Sequence, residues 1–182
     1  MRLIVVSTFV VAASLVSACG STSTSPTEIP LPEGTHRSRI TAVSGPGAGG
    51  VSVTPKSIPE GTFAADISIA IVNARPSATY IIQRAPEIGR ALSADGICQR
   101  ALGQPPWSAS DPAAPSFVTF ANAAGGPITL TTAANGSATA NFEFRAPTIA
   151  AGTLFDVMFR LVDSENAPTT ELRSGCFTVT VK

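Results

Sequence analysis

One histidine, His36, and three cysteines, Cys19, Cys98 and Cys176, are the chain's whole stock of imidazole and thiol. His36 falls in a Ser/Thr/Pro-rich stretch, so a Ser-His-Asp or Cys-His arrangement has no base within the folded part of the chain. A zinc site needs a cluster of His and Cys, and the three thiols are too scattered to make one. The glycine run Gly45 to Gly50 lacks the lysine and following helix of a phosphate cradle. Paired carboxylates serve glycoside hydrolysis. Asp66 and Asp156, however, fall on the outward sides of their strands, where a solvated residue is the expectation. Asp163, Glu165 and Asn166 gather calcium-type oxygens in one turn, off the EF-hand spacing. A polar turn that favours those residue types is the simpler reading. Trp107 stands among Pro105, Pro106, Pro112 and Pro115. It is read either as a binding anchor or as packing over the end of the domain. Catalytic residues, metal and cofactor are therefore all expected to be absent.

The thiol with the most specific surroundings is Cys19. Met1-Arg2 is a short positive start, and Leu3 to Val16 is apolar except for Ser7, Thr8 and Ser14. A run of this length is too short to span a bilayer, which takes roughly 20 apolar residues, and it has the form of an export signal. Val16-Ser17-Ala18-Cys19 ends it with small side chains followed by a thiol. This stretch resembles the lipobox of bacterial lipoproteins, over residues 1 to about 20. The resemblance implies cleavage after Ala18, diacylglycerol on Cys19 and often acylation of the new amino group. Two or three chains anchor stably where one does not. An ordinary signal cut near Ala18, with Cys19 a spare thiol, is the alternative. Gly20 stands where an Asp would signal retention in the inner membrane. The implied place is the cell envelope: the outer membrane in a Gram-negative source, otherwise the outer face of the cytoplasmic membrane. With Cys19 committed to lipid, Cys98 and Cys176 are an even pair in an oxidising compartment and are expected to be bonded. Closing a loop of about 78 residues would be worth roughly 4–5 kcal/mol in the chain-entropy model.

The elements that must carry these residues are strands. Removing residues 1–18 leaves room for one domain and a tether. From Cys19 to Arg37 the chain is Ser/Thr/Pro-rich without apolar periodicity, and it cannot offset the entropy of ordering. About 16 residues of such a tether reach roughly 20–24 Å. Short strands then follow: 38–43, 51–55 at a sheet edge because of Pro55, 63–73, 79–84, 117–120, 128–132, 138–145, 154–162 and 176–181. Period-two alternation puts Phe63, Ala65, Ile67, Ile69 and Ile71 on one side. It does the same for Ala138, Ala140, Phe142 and Phe144, for Phe155, Val157, Phe159 and Leu161, and for Phe177, Val179 and Val181. Gly45 to Gly50 reads as a complete break, Asn135-Gly136 as a hairpin turn and Pro147 to Gly152 as a loop. Residues 85–127 read as a long ordered insertion with at most a helical turn in its first residues, tied down through Cys98.

This pattern predicts an all-β fold, a two-sheet antiparallel sandwich of about 7–9 strands over residues 38–182. It looks like an immunoglobulin-like domain of bacterial envelope proteins. It departs from antibody-type domains in placing Trp107 in the insertion, in lacking a tyrosine corner at Tyr80, and in pairing Cys98 with the last strand. Formal charge is zero and only 13% of residues are charged, which excludes a phosphate-backbone binder. The functional expectation is a membrane-anchored, non-enzymatic module that binds or scaffolds a protein or glycan through its insertion or a sheet edge. A structural subunit of an envelope assembly and a carboxylate-based hydrolase are the competing readings.

Overall fold

The computed structural model describes residues 32–58, 62–102, 116–165 and 170–182. The lipobox with Cys19, most of the tether, Trp107 and Asn166 lie outside the described residues. The described chain is almost entirely β, with ten strand segments and one short helical turn. β1 (His36–Ser44), β2 (Ala48–Lys56) and β3 (Thr62–Val72) form an antiparallel meander. β4 (Thr79–Pro86) follows, then the turn α1 (Gln99–Leu102), then β5 (Val118–Thr119) and β6 (Thr129–Thr131), both on the outer edge of β4. β7 (Ala138–Ala150) pairs with β3, and β8 (Leu154–Asp163) with β4. β9 (Glu171–Ser174) and β10 (Phe177–Thr180) lie end to end along the other side of β8. Because β9 also pairs with β1, all strands join one antiparallel sheet, in the order β5-β4-β8-β9-β1-β2-β3-β7.

The sheet curls because its two apolar faces must meet. On β3, Phe63, Ala65, Ile67, Ile69 and Ile71 are all buried, and on β8 so are Phe155, Val157, Phe159 and Leu161, as their alternation predicts. They belong to a single core. The Phe63 ring meets Phe155 edge-on at 5.5 Å, and Phe120 meets Phe142 at 5.1 Å, Phe144 at 5.2 Å and Phe159 at 5.6 Å. Each such pair adds about 0.5–1.5 kcal/mol beyond area burial. Full burial of each Ile, Leu or Phe contributes about 1.5–3 kcal/mol.

A one-residue bulge makes the last strand fit this core. Arg173 pairs with Arg160 and Phe177 with Val157, so three residues of the last strand oppose two of β8. The extra residue reverses the alternation. Leu172 before it and Val179 after it both face inward, and Cys176 turns to the outer face, where it joins a second, smaller cluster. Ser174 Oγ fills the gap in the ladder by accepting the Phe159 N–H at 2.8 Å.

Several local expectations are corrected. Gly49 and Gly50 belong to β2 rather than breaking the chain. Gly49 is needed there, because a Cβ would lie 2.1 Å from the Ala70 carbonyl oxygen. β2 is internal, yet β1 covers it only to Val53, so Pro55 occupies a stretch with no ladder partner on that side among the described residues. Asn135-Gly136 makes a tight turn, with Ser137 N–H on Asn135 Oδ1 at 3.0 Å. It does not close a hairpin: β6 pairs with β4 and β7 with β3, so this turn carries the chain across the core. β7 runs on to Ala150 through an irregular register instead of ending in a loop before Pro147. β1 begins at His36, two residues earlier than expected, because His36 and Arg37 pair with Val53 and Ser52. The helical turn sits at Gln99–Leu102, after Cys98.

Candidate functional site

The insertion folds back over the outward face of β8, and its anchor is a carboxylate. Asp156 was expected to be solvated on that face; instead it is 0% exposed, because residues 87–102 cover it. Its Oδ2 accepts the Gly96 N–H at 2.6 Å and its Oδ1 the Thr178 hydroxyl at 2.6 Å. Its backbone takes part as well, the Asp156 N–H bonding Ser93 O at 2.6 Å and Asp156 O accepting the Glu87 N–H at 2.8 Å. Buried Glu87 organises the rest, accepting the Arg100 N–H at 2.7 Å and Arg90 Nη1 at 2.9 Å. Cys98 and Cys176 are bonded, with Cα atoms 5.6 Å apart. The bond lies in the smaller cluster with Ala85 and Ala101, against Phe117 and Met158. Beside it, Glu171 is held between Arg160 and Arg173, whose guanidinium groups also approach the Phe117 ring at 5.0 Å each. Every carboxylate here has its positive or N–H partners. This face is a stapled platform.

Cavity space lies on the other side of β4. About 240 Å³ remains open between the apolar faces of the curled sheet, lined mainly by Phe63, Ile67, Phe144, Phe155 and Val179. The strongest polar group on its wall is Arg84. In β4 the buried Tyr80 and Ile82 face the core, and period two puts Arg84 on the same side. Its guanidinium carbon lies 4.4 Å from the centre of Phe120 and 4.2 Å from that of Phe144, so two ring faces hold it. Nη1 is buried and has no hydrogen-bond partner among the described residues. Among the described residues no carboxylate lines the cavity. Burial pushes the guanidinium pKa down to about 10, which leaves it charged at neutral pH. The arrangement is an apolar slot with a fixed, desolvated cation on its wall.

The other sequence candidates are not drawn together. Asp66 is on the exposed face of β3, paired with Lys56 at 2.6 Å, while Asp156 is under the insertion. The calcium-type turn is occupied by its own cation: Arg75 Nε and Nη2 grip Asp163 at 2.6 and 3.0 Å, and Nη2 reaches Glu165 at 3.3 Å. Motifs in the sequence do not single out Arg84, although a signal is present. It is a charged residue at an inward position of an alternating strand. No family model matches the chain, and no curated protein or solved structure matches it.

Proposed function

We propose that the chain is a lipid-anchored module of the bacterial cell envelope whose β domain binds a ligand or partner and does no chemistry. The Val16-Ser17-Ala18-Cys19 run supports the anchor. An immunoglobulin-like sandwich is the finer reading of the fold, and the strand order supports it. After the β1-β2-β3 meander, β9 returns by a long connection to pair with β1, which is the Greek-key order. The disulfide lies on the outer face, away from the central core of such domains. The observation that carries binding is the apolar cavity with Arg84 on its wall, whose buried Nη1 has no hydrogen-bond partner among the described residues.

A second reading, a structural subunit of an envelope assembly, draws on β7. It ends the strand order, and its outer edge has no ladder partner among the described residues. Intact mass of membrane-extracted protein tests the anchor. Loss of residues 1–18 with diacylglycerol and acyl additions is expected, and Cys19→Ser should release the protein from the membrane fraction. Unchanged fractionation of that variant would overturn the anchor. Obligate co-purification at fixed stoichiometry, lost on adding charges along β7, would favour the assembly subunit.

A further inference from the structure

We infer that the cavity beside Arg84 is a binding site for a small anionic amphiphile, a carboxylate with an unbranched apolar body such as a medium-chain fatty acid. The inference deepens the binding reading of the domain and does not depend on the lipid anchor. Three features select this class.

The cavity wall is apolar and includes aromatic rings, so it favours a hydrocarbon body over a sugar, whose hydroxyls would find few partners. Its cation is a guanidinium, whose planar fork matches a carboxylate and is weakly hydrated. That cation is also prepaid: Phe120 and Phe144 fix its plane, and the buried Nη1 lacks an acceptor that a ligand carboxylate would supply. A hydrocarbon would fill the slot and leave Nη1 as it is, and a neutral alcohol would offer it only an uncharged acceptor. A polyanion such as a phosphate monoester would bring charge that one guanidinium in an apolar wall cannot match. The cavity volume, ≈ 240 Å³, limits the body to a single short chain and excludes a two-chain phospholipid.

Titration of the full chain with three probes tests this directly, by calorimetry below the micellar range. Decanoate has both charge and body, decanol the body alone, and acetate the charge alone. Decanoate is expected to bind one per chain, about tenfold or more tighter than decanol, since a charge-assisted hydrogen bond separates them. Acetate should give no measurable heat. Carbon-13 NMR of carboxyl-labelled decanoate should show the bound carboxylate remaining ionised to lower pH than the free acid. Arg84→Gln should erase the preference for decanoate over decanol, and Arg84→Lys should keep part of it. Ala146→Phe, which fills the slot with Arg84 intact, should abolish binding of both.

Equal binding of decanoate and decanol, or no decanoate binding at millimolar concentration, would overturn the inference; the wild-type comparison needs no variant to fold. If decanoate fails while Cys19-dependent fractionation holds, the ligand class falls and the anchored module stands. Decanoate binding by a protein that carries no lipid would leave the cavity site intact and remove the anchor.

Discussion

Two aspartates show how little a strand position says about a residue's surroundings. Asp66 and Asp156 both alternate with core residues, yet Asp66 keeps its side chain 58% exposed while Asp156 has none. Asp156→Ala would strand the Gly96 N–H and the Thr178 hydroxyl, and is expected to cost about 2–4 kcal/mol. Asp66→Ala removes an exposed pair with Lys56 and should stay within about 0.5 kcal/mol. Urea midpoints of the two variants measure the contrast; equal shifts would refute the burial argument. His36 offers a cleaner titration, being the chain's single imidazole. Its Nε2 accepts the Thr180 N–H at 3.5 Å, and burial, then the nearby Lys182 charge, lowers its pKa. The unfolded chain therefore takes up this proton first as pH falls. Stability from this group is full above about 6.5, declines below that value and levels off once pH passes the lowered folded pKa. His36→Gln should flatten the urea midpoint between pH 8 and pH 5, and a midpoint that still declines equally would assign the slope to another group.

At the scale of elements, the insertion is held by one disulfide, two buried carboxylates and a small apolar cluster. It has no ladder of its own across residues 87–98. Its stability should therefore depend on the staple more than that of the strands does. Replacing both Cys98 and Cys176 by Ser is expected to cost about 2–5 kcal/mol. Hydrogen exchange should rise in residues 87–101 while the amides of β3 and β8 stay protected. Uniform acceleration through the core instead would show that the disulfide supports the whole sheet. Alternation made the inward residues of β3, β7 and β8 legible, because side-chain direction follows from backbone geometry alone. The bulge between β9 and β10 was not legible. Leu172 and Val179 have opposite parity in the sequence, and only pairing with β8 shows that both face inward.

For the whole molecule, the main core among the described residues lies between Ile40 and Val181, and residues 31–182 form one compact unit. A chain beginning at Leu31 should then unfold at the same urea midpoint as the full chain, within about 0.5 kcal/mol. The same core joins both ends of the strand order, since Phe120 beside β4 touches Phe142 and Phe144 of β7. Far-ultraviolet circular dichroism and aromatic absorbance should therefore report a single coincident transition. A separate early transition in either probe would divide the sheet into independent halves.

The amino-acid sequence by itself determined the β class, the inward residues of the long strands and the two cysteines that meet. These follow from local sterics, period-two alternation and cysteine number, and need no knowledge of neighbours. Tertiary structure alone decided which strands pair, that Asn135-Gly136 crosses the core, that Asp156 is covered and that Arg84 faces a cavity. Each of these depends on what packs against a surface from a distant part of the chain. A strand carries the direction of its side chains within itself, whereas burial, partners and empty space belong to the assembled sheet.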